Sequence, residues 1–247
     1  MSKKHLIFLH GFLENANMWN PILNRISKSN YELHFPEIPG HGKNLTRVEP
    51  SMESYVQNII EQVNLPAGDS YFFIGHSMGG YIGAHFCNTL KERCLGLCLF
   101  HSKAGADDAE KISARDRAME AARENKALYI RTMINGLFPD STRENFREKI
   151  EEQITYAQSL ETESITDALT VMRDRSGTLE AMVNRNFPLY YFLGSEDKSI
   201  PLEVALKEVE ILPGSAPQIV EGIGHMGHIE HPVSSGDFIQ RILRASE

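Results

Sequence analysis

Short apolar runs of strand length alternate along this chain with longer stretches whose apolar residues return every three or four positions. Runs at 6–9, 31–35, 71–74, 95–100, 189–193 and 218–220 read as six strands. Several are apolar at consecutive positions, which suits parallel strands covered by helices on both faces, because a sheet with one wet side alternates instead. Helical periodicity occupies 52–63, 80–91, 202–208 and 234–243 between them. The predicted class is α/β: a mostly parallel sheet of about six strands flanked by helices.

The alternation lapses between 103 and 185, where no strand-like run occurs. Ser141-x-x-Glu144 has the form of a capping box and predicts a helix from there through Gln158. The stretch holds 13 of the 25 Lys and Arg and 16 of the 33 Asp and Glu, so its helices carry solvated faces with i,i+4 pairing. A long insertion between strands also has the form of a lid. The expected organisation is a core domain of 1–102 and 186–247, interrupted by an all-helical lid at 103–185.

Composition narrows the class of partner. At 247 residues and 41% hydrophobic content, the chain is long enough to bury a large core. A net charge of −8 with no Lys/Arg-dense stripe argues against nucleic acid or an anionic membrane as partner. Cys87, Cys94 and Cys98 include no C-x-x-C pair and fit neither a disulfide framework nor a zinc site, so reduced thiols are expected. The apolar run near the N-terminus is too short for a signal peptide, and no run reaches membrane-spanning length. A cytoplasmic protein is expected; its oligomeric state does not follow from the sequence.

Residues 75–80 read GHSMGG directly behind the apolar run 71–74. A lone serine between glycines at a strand-to-helix turn is the form of a nucleophile on a strained elbow, though taken singly it is also an ordinary Gly-rich turn. A serine hydroxyl needs a base for its proton and donors for the oxyanion that follows attack. In an open parallel sheet those partners lie at the carboxyl ends of strands. His225, in GIGHMGHIEHP after the last strand, is the candidate base. Asp197, in GSEDKSIP after the run 189–193, is the candidate acid, with Glu196 in reserve. The order Ser77, Asp197, His225 is the one this kind of sheet uses for a triad. The backbone N–H groups of Met78 and of Phe12, behind His10-Gly11, are the candidate oxyanion donors. His228 and His231 follow His225 at three-residue intervals, but Glu230 is the only further ligand nearby; both are assigned to surface or packing, and no metal is expected. His10, His41, His76 and His101 are assigned to loops and packing around the site.

Together, HGF at 10–12, PGHG at 39–42, GHSMGG at 75–80, GSEDKSIP at 194–201 and GHMGHIEHP at 224–232 resemble the α/β-hydrolase superfamily, in its order and over nearly the whole chain. The resemblance implies Ser77 as nucleophile, His225 as base, Asp197 as its orienting acid, and Phe12 and Met78 as oxyanion donors. With five residues ahead of the first strand, the two antiparallel strands that usually open the fold are expected to be absent. Glu37 and Asn44 stand where relatives often carry aspartate and serine, departures that touch loop structure more than chemistry.

Serine at position 77, in place of aspartate, points to an acyl-serine intermediate and not to an alkyl-enzyme ester. The expected activity is carboxylesterase-like hydrolysis of a small ester, thioester or amide with an apolar acyl or alcohol part, without a cofactor. Apolar candidates for the substrate pocket are Phe12, Leu13, Trp19, Met78 and Met226, with Met119, Leu128, Ile134 and Phe138 from the lid; the same spacing also suits lid core. A second reading uses the triad for C–C bond hydrolysis or lyase chemistry on a carboxylate-bearing substrate, which calls for an inward lid arginine such as Arg173 or Arg175. A ligand receptor that keeps the pocket without turnover is a third.

Overall fold

Runs of consecutive apolar residues become strands covered on both sides. The computed structural model describes residues 2–27 and 30–246. Within it, β1 (Lys4–Leu9), β2 (Glu32–His34), β3 (Ser70–His76), β4 (Cys94–Phe100), β5 (Leu189–Gly194) and β6 (Ser215–Val220) pair in parallel, in the order β2-β1-β3-β4-β5-β6. Along β1 the side chains divide by alternation. Ile7 and Leu9 join one core, Leu6 and Phe8 the other.

The first core packs α1 (Met52–Val63), α2 (Met78–Thr89) and the segment after β4; the second packs α10 (Pro232–Ala245) and the short turns of residues 16–26. α1 starts where the Ser51 hydroxyl accepts the Ser54 N–H at 3.2 Å, and stops at Asn64, whose φ of +46° is left-handed. α8 (Leu202–Ile211) precedes β6, and the four-residue α9 (Gly227–Glu230) leads into α10. β6 is longer than the expected 218–220. It is an edge strand with no fully buried residue, exposed at Ala216 and Pro217 and carrying that proline, so its apolar signal is short.

Between β4 and β5 the chain forms α3 (Ala109–Glu124), α4 (Lys126–Asn135), α5 (Arg147–Ser159), α6 (Thr162–Asp174) and α7 (Leu179–Val183). The capping box expected at Ser141-x-x-Glu144 does not form. Thr142 and Arg143 donate their amides to the Pro139 carbonyl, a 3₁₀ turn covers Arg143–Phe146, and α5 begins only at Arg147. The Arg143 guanidinium reaches back to the carbonyls of Asn135 and Phe138, so this segment closes α4 before it opens α5. No helix among the described residues is long and apolar enough to cross a membrane.

Candidate active site

Because all six strands run one way, the loops after β1, β3, β4, β5 and β6 leave from one edge of the sheet. Among the described residues four that are not glycine have positive φ, and three of them lie there: Leu13 (+61°), Ser77 (+49°) and His101 (+47°). Left-handed backbone at residues with a Cβ costs on the order of 1–3 kcal/mol and persists where surrounding structure enforces it, often at functional sites. The turn at Ser77 is enforced by close backbone packing. A Cβ on Gly75 would strike the backbone of Gly79, and one on Gly79 the carbonyls of Leu9 and His10. Glycine at both positions is what lets β3 turn directly into α2 with Ser77 at the apex.

The loop after β1 lies against that apex, since a Cβ on Gly11 would be 3.2 Å from the Ser77 Cβ. Phe12 follows in this loop, and Met78 is the first residue of α2, where amides lack helical partners. The His10 ring spans the loop's base: Nδ1 lies 2.8 Å from the Gly11 carbonyl, and Nε2 lies 2.9 Å from the Glu37 carboxylate and 3.1 Å from the Ile38 amide.

After β5 the chain turns so that Asp197 is buried and Glu196 is exposed. Asp197 Oδ1 accepts the amides of Ser199 (2.8 Å) and Ile200 (2.9 Å); Oδ2 faces Nδ1 of His225 at 2.7 Å and Nδ1 of His101 at 3.1 Å. Burial would raise this carboxyl, but the charge and hydrogen bonds of His225 and His101 hold it well below the usual carboxylate range. An ionised carboxylate only accepts, so both rings carry their proton on Nδ1, and the neutral His225 ring has its lone pair on Nε2. Burial holds the His101 pKa down to about 4 against the pull of Asp197, keeping that second ring neutral. The His225 loop is fixed in turn by Glu230, whose carboxylate accepts the amides of Gly224 and Met226, and by the Leu137 carbonyl beyond α4, which accepts the His225 amide at 2.8 Å.

A group that carries no sequence motif ties these loops together. Glu14, 4% exposed, accepts the Gly11 amide at 2.7 Å and faces His76 Nδ1 at 2.6 Å; the other nitrogen of His76 lies 3.0 Å from the His225 carbonyl. Both partners of His76 are acceptors, so the ring is an imidazolium donating from each side. Burial would raise Glu14, but the charge and hydrogen bond of His76, then His228 and His10, bring it down to about 2. Burial would lower His76, and Glu14 reverses this to raise it. The ion pair is complete above the unfolded carboxyl value of 4.5 and below the unfolded imidazole value of 6.5. It is lost as pH falls through about 2 or rises through the raised His76 value. Glu14→Gln is expected to cost about 3–5 kcal/mol, the penalty for leaving one buried charge unpaired. Denaturant titrations of both proteins check this: the difference is largest between the two unfolded values and narrows as His76 gives up its proton. A difference that does not change with pH contradicts the pairing.

Comparison with known proteins gives this site a family. A family model described as the alpha/beta hydrolase fold matches residues 4–232. The chain belongs to the alpha/beta hydrolase family. A pimeloyl-[acyl-carrier protein] methyl ester esterase of Salmonella newport (strain SL254) is 26% identical over 251 residues, covering 93% of this chain and 90% of that one. An esterase from Thermogutta terrifontis superposes with a TM-score of 0.88 at 24% identity, over 99% of this chain and 91% of that one. The enol-lactonase of Burkholderia xenovorans LB400 does so with a TM-score of 0.83 at 14% identity, over 99% and 92%. By fold and relatives the chain is an enzyme of ester-hydrolase type.

Within this alpha/beta hydrolase the apolar candidates separate. Phe12, Leu13, Met78, Met119, Ile134, Phe138 and Met226 are buried in the core that also holds the 103–185 helices. Trp19 is not among them. The Asn15 side chain caps a 3₁₀ turn that swings Trp19 under the sheet, against Phe8 and Phe100 at ring-centre distances of 5.1 and 5.7 Å, in the core below α10. Leu128, on α4, is 60% exposed and stands apart from that core. A cavity of about 410 Å³ between residues 14–21 and α5 reaches Glu14 and His228, while Ser77, Asp197 and His225 lie outside its lining.

The remaining polar candidates are placed as follows. Arg173 pairs with Asp116 and Asp174 near the surface. Arg175 is buried, stacked 3.8 Å over the Tyr81 ring and bonded to Asp107 and the carbonyls of Met172 and Gly105. His41 and His228 are buried packing histidines, both held to about 3 mainly by burial, and His231 accepts the Ser234 amide at the start of α10.

Proposed function

We propose that this enzyme hydrolyses a small carboxylic ester through an acyl-serine intermediate, with Ser77, His225 and Asp197 acting as a triad. The observation that carries the reading is the buried 2.7 Å contact between Asp197 and His225 Nδ1, at the sheet edge where Ser77 stands on a left-handed turn. It leaves the His225 Nε2 lone pair to accept the Ser77 proton as Oγ attacks the acyl carbon. Asp197 steadies the imidazolium that forms, and the amides of Phe12 and Met78 hold the oxyanion. Collapse of the tetrahedral species expels the alcohol with the proton from His225. Water then repeats the sequence on the acyl-serine and restores the enzyme.

Residues 103–185 serve as a lid over this edge, and Leu13, Met119, Ile134, Phe138 and Met226 form the apolar wall from which the acyl pocket is drawn. The curated relatives are named for a methyl ester, which supports a small alcohol leaving group. The second reading, C–C cleavage or lyase action on a carboxylate substrate, loses its support at the lid arginines. Arg173 is paired at the surface and Arg175 is committed to Asp107 and two carbonyls. Stopped-flow mixing with p-nitrophenyl acetate and butyrate tests the proposal. The expected trace is a burst of about one nitrophenolate per chain followed by steady turnover. No nitrophenolate release above the buffer rate would refute it.

A further inference from the structure

The opposite edge of the sheet, away from Ser77, carries a second histidine cluster. β1 and β2 pair with His5 in register with Glu32 and Ile7 with His34. Glu32 and His34 alternate onto one face of β2, and His5 stands on that face beside them. His5 Nδ1 lies 2.8 Å from His34 Nε2, and the ligand atoms of His5, His34 and Glu32 all fall within 4.8 Å of one another. His5 is 2% exposed. Its other nitrogen is 3.0 Å from Asp69 Oδ2, and Asp69 Oδ1 accepts the Lys3 amide at 2.9 Å. A cavity of about 360 Å³ opens beside the group, between Lys3, Glu32, His34 and Asn64.

Asp69, as a carboxylate, accepts a hydrogen bond from the Nε2–H of His5 and so leaves the His5 Nδ1 lone pair directed at His34. In the 2.8 Å contact His34 is then the donor, through its Nε2–H; with that proton on Nδ1 of His34 instead, two imidazole lone pairs face one point beside the Glu32 carboxylate, an arrangement a cation satisfies. We propose that His5, His34 and Glu32 form a binding site for a divalent transition metal of zinc type, with Asp69 orienting His5 and the ion pinning the edge strand β2 to β1.

The donor set is that of a borderline metal, two imidazoles and one carboxylate with a position left for water. A carboxylate behind a ligating histidine is the usual support of such a site. Metal–nitrogen bonds of about 2.0–2.1 Å at a tetrahedral angle put two ligand nitrogens about 3.3 Å apart, so the rings need open by only about half an ångström. Glu32 has only to turn from Lys3, an exposed partner at 3.2 Å. Among the described residues two other groups of suitable side chains occur, Glu14/His76/His228 and His101/Asp197/His225; in the first Glu14 is paired with His76, in the second Asp197 is bonded to both rings, and both groups lie among the loops around Ser77. β2 is three residues long and sits at the sheet edge, where a cross-link to β1 has the most to hold.

Isothermal titration of zinc chloride into tag-free, chelator-treated protein tests the site, alongside thermal melts with and without zinc. The expected result is one zinc per chain at micromolar or tighter affinity, with a melting temperature that rises on adding zinc. Asp69→Asn is expected to weaken binding by about 10–100-fold. His34→Ala and Glu32→Ala, each removing a ligand, weaken it at least as much and abolish the thermal shift. Both replaced side chains lie at an edge strand, and circular dichroism checks that each variant is folded; should one fail, the other gives the reading. Absence of saturable zinc binding, or binding undiminished in the folded variants, overturns the proposal.

Discussion

Ser77→Ala is expected to lower ester turnover on the order of 10⁶-fold, the scale of loss when a serine hydrolase is deprived of its nucleophile. The size follows from the arrangement around it. In the proposed mechanism His225, held by Asp197 at 2.7 Å, takes one proton from one hydroxyl. Without that oxygen, the proposed base and oxyanion donors have nothing to act on but water, which is not held at the Ser77 position. The substitution deletes one atom from a partly exposed side chain and leaves Gly75, Gly79 and the left-handed backbone as they were. Stability measured by denaturant titration is expected to stay within about 0.5 kcal/mol of wild type. Retention of the wild-type rate by the purified variant would sink the acyl-serine mechanism.

Asp197→Asn is expected to cost about 10⁴-fold in kcat. The local bonding gives a specific reason. Oδ1 accepts two amides, from Ser199 and Ile200, so the oxygen of an asparagine is held on that side. Its NH₂ then faces Nδ1 of both His225 and His101, the atoms that face Oδ2 in the wild type. A donor meeting Nδ1 drives the proton of His225 to Nε2, where the proposed mechanism needs a lone pair. The carboxylate is thus replaced by a group that selects the tautomer the proposed mechanism cannot use, while keeping the loop's shape. Glu196→Gln, on an exposed side chain, is expected to leave the rate unchanged. Steady-state kinetics on the two variants separate the neighbours: near-normal turnover in Asp197→Asn with a large loss in Glu196→Gln would reverse the assignment.

The sheet was legible in the sequence because strands buried on both faces write themselves as consecutive apolar residues, as in Tyr71-Phe72-Phe73-Ile74. The strand-exit motifs were legible because backbone crowding restricts the residues that fit, as at Gly75 and Gly79. What escaped were positions whose role depends on partners distant along the chain. Glu14 reads as a loop glutamate until His76, 62 residues on, is brought beside it. His5, His34 and Asp69 share no local pattern because their contacts span 29 and 64 residues. Trp19 and Leu128 were assigned by apolar character alone, which does not say to which side of a sheet or helix a side chain points. Ser141-x-x-Glu144 satisfied a local rule that the Arg143 contacts to α4 override.

The proposed mechanism requires Ser77 to be a nucleophile activated by its surroundings. Intact-protein and peptide mass spectrometry after incubation with a fluorophosphonate probe reads this directly. One adduct per chain is expected, located on Ser77, formed by native protein and by neither the acid-unfolded protein nor Ser77→Ala. A native, folded enzyme that hydrolyses ester yet takes no adduct at Ser77, or takes it at another serine, would rule out Ser77 as the nucleophile.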